Sequence, residues 1–222
     1  MPSLSDWLIT VLSAAFIPEP LEGLDIYRAS PGRGAVLGDT PDMRCLLGPN
    51  VEIPTRGRHT MPKGWLTEGT VSLFIDAAPE VVYRAVADVT ATGGRSSECR
   101  SCTWLPGNEP GTVGSRFRGR NRSGVIRWSR LCEVTVARPG EAFAYRTVQE
   151  RFDPSRNDST TWRFALTNDG SGTNVEHSYV ISKLPSAPFK AFYGRMLPQH
   201  RDMRPQMTDT LQSLRTQIGS MA

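Results

Sequence analysis

From Thr67 onward apolar and polar residues take turns along the chain. In "GTVSLFIDA" Val71, Leu73 and Ile75 alternate with Ser72 and Asp76, the period of two that turns one face of a strand inward and the other outward. The period then changes. Asp76 to Pro79 supplies a turn with proline near a helix start, and Val81, Val82, Ala85, Val86 and Val89 recur at helical steps. The small, polar "TATGGRSSE" leads into "CRSCTWLPG", where the strand pattern resumes. Five further period-two runs begin at Thr112, Val125, Glu141, Ser159 and Thr173, parted by the turn signals "RSG", "RPG", "FDPSRND" and "NDGSG". Connections this short make neighbouring strands antiparallel.

A last change of period follows. Phe189, Phe192, Tyr193, Met196, His200, Met203, Met207, Leu211, Leu214 and Ile218 recur every three or four residues and form one face of a long helix. Pro198 and Pro205 interrupt it, predicting a break near Leu197 and a continuous last piece from about Pro205 to Ile218. The sum is an α+β fold: a curved seven-stranded antiparallel sheet against a long C-terminal helix. One helix cannot fill the concave face of such a sheet, so a cavity between the two is the expected site.

The segment before Thr67 behaves differently. Pro and Gly break it repeatedly between Pro18 and Gly64, with no sustained period. Residues 1–66 therefore read as an irregular N-terminal arm or leader ahead of a ligand-binding domain over 67–222, with initiation at Met61 as the alternative explanation. The apolar run "WLITVLSAAFI" is too short to span a bilayer, and no Lys or Arg precedes it as in a signal peptide. No transmembrane segment is expected.

Charge adds little. The formal net charge is +4, with 6 basic and 7 acidic residues up to Leu66 and 20 basic and 15 acidic after it. Lys63, Lys183 and Lys190 are the only lysines, so the basic character is arginine. Arg116, Arg118, Arg120 and Arg122 share one face of a strand. Single-strand nucleic-acid binding would need aromatics interleaved on that face, and Phe117 points the other way. The row reads as a solvated outer face, with a weak contact to an anionic surface as its alternative use and no specific nucleic-acid partner.

Four cysteines, Cys45, Cys99, Cys102 and Cys132, are too few for a disulfide scaffold, so reduced thiols and a cytoplasmic location are the expectation. Zinc at "CRSC" would need two more ligands at suitable spacing, and none are present. On a regular strand Cys99 and Cys102 point to opposite faces, poorly placed to chelate or bridge. Cys102 reads as a small cavity or core residue. The chain carries no G-x-S-x-G, H-E-x-x-H, Walker A or G-x-G-x-x-G pattern. Neither a metal nor a cofactor is expected.

Alternation assigns the inner face. In "VIRWSRLCEVTV" it takes Ile126, Trp128, Arg130, Cys132, Val134 and Val136. By the same rule Cys102, Trp104, Phe117, Phe143, Tyr145, Trp162, Phe164, His177 and Tyr179 are lining candidates, with Phe192, Met196 and Met203 from the helical face. Arg130 and His177 stand out because ionisable groups at inward positions need a partner. A ligand carboxylate, enol or phenolate would serve Arg130; a strand histidine bonded to tyrosine, or an arginine reaching water, is the plainer reading.

The order of elements and the words "DAAPEVVYRAVADVT", "SSECRSCTW", "GTVGSRFRGRNRSGVIRWSRLCEVTVARPGEAFAY", "TTWRFAL" and "GTNVEHSY" resemble the SRPBCC superfamily over about residues 68–218. That group includes START lipid-transfer domains, pollen-allergen-like proteins and polyketide cyclase/dehydrase-like proteins, and a bacterial cyclase/dehydrase-like branch is the nearer likeness. The resemblance implies a helix-grip fold holding a hydrophobic or aromatic small molecule, such as a lipid or polyketide-like compound, under the C-terminal helix. It implies as the alternative an enzyme that uses His177, Tyr145 or Tyr179 as acid–base groups. One departure stands out: relatives carry a pattern like "GEWSPEC" where this chain has "GGRSSEC", which removes an aromatic anchor at Arg95 and puts the packing of the short second helix in question.

Overall fold

The computed structural model describes residues 64–150, 159–184 and 187–220. The irregular arm, its apolar run and Cys45 lie outside the described residues. Strands β1 (Glu68–Ile75), β2 (Cys99–Trp104), β3 (Arg116–Ser123), β4 (Ile126–Arg138), β5 (Ala142–Val148), β6 (Ser159–Asn168) and β7 (Thr173–Lys183) form one antiparallel sheet, in the order β1-β7-β6-β5-β4-β3-β2. Consecutive strands pair as hairpins from β2 to β7, and β1 closes onto β7. Helix α1 (Pro79–Ala87) follows β1; α2 (Ala187–Met196), a 3-10 turn (Pro198–Arg201) and α3 (Arg204–Gly219) follow β7. The break falls at Leu197, as the two prolines require.

Helix α1 starts with Pro79 in its first turn and buries Val82 and Val86, one turn apart, on the sheet side. Helix α3 buries Met207, Leu211, Leu214 and Ile218, the stripe expected of a helix that lies across a sheet. Ile75, Val82, Phe143, Val175, Leu211 and Leu214 are close to fully buried and build the core where α1 and α3 meet the sheet. A second, smaller cluster joins Tyr179 to Met203 and Met207. Thr173, fully buried, donates its hydroxyl to the Ala77 carbonyl at 2.7 Å and ties the start of β7 to the turn after β1.

Two bulges change what alternation predicts. Pairing of β2 with β3 slips between Cys99 and Ser101, so Arg100 is an extra residue and both Cys99 and Cys102 turn inward, with their sulfurs 3.5 Å apart. The expectation of opposite faces is thus corrected. Gly93 fixes this bulge from behind, because a Cβ there would stand 2.3 Å from the Arg100 carbonyl oxygen. The second slip lies between Val134 and Val136, and beyond it Ala137, not Val136, packs against the core.

Arg95, where the resemblance leads one to expect an aromatic residue, is tied down by hydrogen bonds. The Arg95 guanidinium donates to the Gln217 side-chain oxygen on α3 at 2.7 Å and to the Ala85 carbonyl on α1. Ser96 accepts hydrogen bonds from the Glu98 and Cys99 amides at 3.2 and 3.1 Å. An arginine that reaches two helices holds the end of the 3-10 turn Val89–Gly94.

Candidate functional site

A cavity of about 240 Å³ lies between the inner face of the sheet and α3. Its aromatic floor follows from register: Tyr145 on β5 pairs with Trp162 on β6, and Phe164 pairs with His177 on β7. The rings pack as a continuous surface. Phe164 and His177 stack with centroids 4.0 Å apart and planes 12° apart; Trp162 lies 5.8 Å from His177, and Phe117 meets Tyr145 edge-on at 5.2 Å.

His177 is the polar group of that floor. It is 4% exposed, and neither ring nitrogen has a hydrogen-bond partner among the described residues. Burial pushes its pKa down to about 3, so the ring is neutral at physiological pH, a weak base and not a proton donor of the imidazolium type. An orphaned buried donor or acceptor costs about 1–3 kcal/mol, which a hydrogen-bonding group inside the cavity would offset. Burial also raises the Tyr145 hydroxyl well above its ordinary range, so it stays protonated.

At the partly exposed end the cavity is rimmed by polar groups that the sequence did not single out. His200 Nε2 lies 2.9 and 3.1 Å from the two Glu98 carboxylate oxygens, and the Gln199 amide donates to Glu98 at 2.7 Å and to Ser123 at 3.0 Å. Trp128 meets the His200 ring edge-on at 5.6 Å. These contacts fasten the 3-10 turn Pro198–Arg201 to the ends of β2, β3 and β4. Burial alone would raise the Glu98 carboxyl; the hydrogen bonds and charge of His200, with donors on Gln199 and Gln206, outweigh it and hold the group below the usual carboxylate range.

Of the residues expected at the cavity, Cys102, Phe117, Trp128, Arg130, Tyr145, Trp162, Phe164, His177 and Met203 line it. Trp104, Phe143, Tyr179, Phe192 and Met196 do not. Phe143 faces the closed end of the sheet, edge-on to Tyr83 of α1. Trp104 stands beyond Phe117, and Tyr179 directs its hydroxyl to the Leu66 carbonyl at 3.3 Å. Phe192 and Met196, 40% and 42% exposed, lie on α2, ahead of the break at Leu197. Trp65, Arg95, Glu98, Gln206 and Thr210 are among the further residues that line it. Among the described residues no group of three or more His, Cys, Asp or Glu side chains could hold a metal ion.

The arginine row lies on the outer face, and carboxylates match Arg116 and Arg118 within it, while Arg122 donates to the Gly124 carbonyl at 2.9 Å. Arg116 pairs with Glu133 at 2.8 Å and Arg118 with Glu150 at 2.7 Å, while Arg146 also reaches Glu133 at 3.0 Å. Among the described residues no helix is long and apolar enough to cross a membrane.

Residues 67–219 match the family described as polyketide cyclase / dehydrase and lipid transport. No curated protein matches the chain. Among solved structures, the protein TTHA0849 from Thermus thermophilus is 17% identical with a TM-score of 0.55, covering 70% of this chain and 99% of its own. The ginseng major latex-like protein 151 from Panax ginseng is 11% identical with a TM-score of 0.50, covering 68% of this chain and 95% of its own. At these identities the likeness is one of fold. Sheet order, C-terminal helix and the matched span together establish that the chain belongs to the polyketide cyclase/dehydrase and lipid transport family, of SRPBCC type and helix-grip fold.

Proposed function

We propose that this protein binds a compact hydrophobic or aromatic small molecule, polyketide-like in character, in the cavity between sheet and α3. The observation that carries the reading is His177: a neutral imidazole, stacked in an aromatic floor, with both nitrogens unmatched among the described residues. A planar ligand with one hydroxyl or carbonyl would bury its rings against Trp162 and Phe164 and satisfy one imidazole nitrogen. A cavity of roughly 150 Å³ accommodates benzene, so about 240 Å³ suits a ligand of one to a few rings better than a long-chain lipid. Burial of apolar area, at about 25 cal/mol per Å², supplies affinity; the polar contact fixes orientation.

The Glu98–His200 contact acts as the gate. Release of the Pro198–Arg201 turn opens the partly exposed end without disturbing the core under α1. Native mass spectrometry of the full chain purified from cells, followed by solvent extraction, tests the reading. A stoichiometric apolar compound is expected; a cavity that takes up no apolar compound from cells or from an added aromatic panel overturns it.

The second reading is an enzyme of the cyclase or dehydrase type in the same cavity. The carboxylate–imidazole pair of Glu98 and His200 favours it, because such a pair can take and return a proton at the cavity rim. The depressed pKa of His177 and the elevated one of Tyr145 suit them less to that work. Turnover of an enolisable polyketide, abolished in His200→Ala, would favour the enzyme; reversible binding without product favours the carrier.

A further inference from the structure

Cys99 and Cys102 are unused by ligand binding as argued above, yet the fold goes out of its way to join them. A regular strand would part them. The extra residue Arg100 instead brings both sulfurs to the cavity wall, 3.5 Å apart and in hydrogen-bond contact, and Gly93 admits the bulge because a Cβ would collide with the Arg100 carbonyl. β-bulges recur where a side chain must be re-aimed. Gly119, the register partner of Cys102, leaves the sulfur uncovered: a Cβ there would stand 3.6 Å from it.

We propose that Cys99 and Cys102 form a cavity dithiol that reduces small hydroperoxides and closes to an intramolecular disulfide. The two sulfurs have unequal roles. The Cys99–Cys102 sulfur contact holds the Cys99 thiol below its ordinary value, while the same contact and burial raise Cys102, so Cys99 is the sulfur that deprotonates more readily and attacks, and Cys102 is the resolving thiol. Cys132, the third thiol at the cavity, is pushed up to about 12 by burial and stays a spectator.

In the first step the Cys99 thiolate attacks the O–O bond of ROOH. An S–O bond forms, the O–O bond breaks, and RO⁻ leaves as ROH with the proton that Cys99 gave up. Cys99 is now a sulfenic acid. In the second step the Cys102 sulfur attacks the Cys99 sulfur; the S–S bond forms, the S–O bond breaks, and hydroxide leaves as water with the Cys102 proton. Two thiols are oxidised and one hydroperoxide is reduced to an alcohol and water. Two equivalents of a small external thiol restore the dithiol by exchange through a mixed disulfide and leave as their own disulfide. Bonding requires the sulfurs to close from 3.5 Å to about 2.05 Å, a rotamer-scale movement. The reaction goes beyond the ligand-binding reading and does not depend on it, since hydrogen peroxide itself is a substrate.

The test uses the full chain carrying Cys45→Ser, which leaves Cys99, Cys102 and Cys132 as its cysteines. With equimolar hydrogen peroxide it is expected to lose two of its three thiols and the mass of two hydrogens. Peptide mapping without reductant should find one Cys99–Cys102 link, reversed by dithiothreitol. In Cys102→Ser a dimedone adduct should accumulate on Cys99. Full alkylation of Cys99 and Cys102 after peroxide treatment, or links that join Cys132 or two chains, would overturn the proposal. The mapping is done on the folded parent, so it decides the matter even where a cysteine variant does not fold.

Discussion

The two halves of the concave sheet are built from the same strands and behave as different materials. Under α1, Ile75, Val82, Phe143, Val175 and Leu211 leave almost no exposed surface and contribute no titratable group. A few residues further along the same strands, Tyr145, Thr147, Thr160, Trp162 and His177 surround open volume, and Glu98 and His200 rim it. Stability is concentrated where apolar residues interlock; the other half gives up packing and keeps polar groups in low dielectric. That contrast locates function by the loss of stability that one half carries.

Truncating the packed half should have the largest effect. Phe143→Ala removes a fully buried ring, and chemical denaturation is expected to show a loss of about 3–5 kcal/mol, with unchanged ligand affinity per folded molecule. A greater loss of affinity than of stability would break the comparison.

In the open half the telling change is His177→Phe. The folded pKa of about 3 lies below the unfolded value, so the unfolded chain binds a proton that the folded chain refuses. Stability from this group is present above the unfolded pKa and falls as pH drops through the window down to about 3. The slope of about 1.4 kcal/mol per pH unit gives a loss on the order of 2 kcal/mol between neutrality and pH 5. The wild type should show that loss in denaturant titrations, and His177→Phe should lack it while binding ligand more weakly.

Much of this contrast was legible in the chain. Period two gave the seven strands and the prolines gave the break at Leu197, because both are set by backbone geometry local to a few residues. The inward positions of Phe117, Tyr145, Trp162, Phe164 and His177 came from the same alternation. Alternation failed at Arg100 and Thr135, since a bulge adds one residue to one strand without a distinctive side chain to mark it. It also could not divide a strand between the two halves: Phe143 and Tyr145 are two residues apart on one face, and only sheet curvature sends one under α1. The Glu98–His200 contact joins residues 102 apart in sequence, and no local pattern predicts such a pair.

At the rim, Glu98→Gln tests the gate. The depressed Glu98 pKa means that the contact stabilises the protein above the ordinary carboxylate range and is lost as pH falls through the lower folded value. The substitution should cost about 1 kcal/mol and speed ligand release in stopped-flow measurements; unchanged release rates would remove the gate from the account. The smallest effect belongs outside both halves. Arg116→Ala on the outer face should change stability by less than about 1 kcal/mol and leave ligand affinity untouched, as read by thermal denaturation and titration.

The central claim is that His177 and its aromatic neighbours form a binding surface. Titrating the full chain with 2-hydroxy-1,4-naphthoquinone while following tryptophan fluorescence tests it directly. The account predicts saturation at one ligand per chain, with affinity lowered about fivefold in His177→Phe, the equivalent of one hydrogen bond of about 1 kcal/mol. Quenching that never saturates, or equal affinity in wild type, His177→Phe and Trp162→Ala, would contradict it.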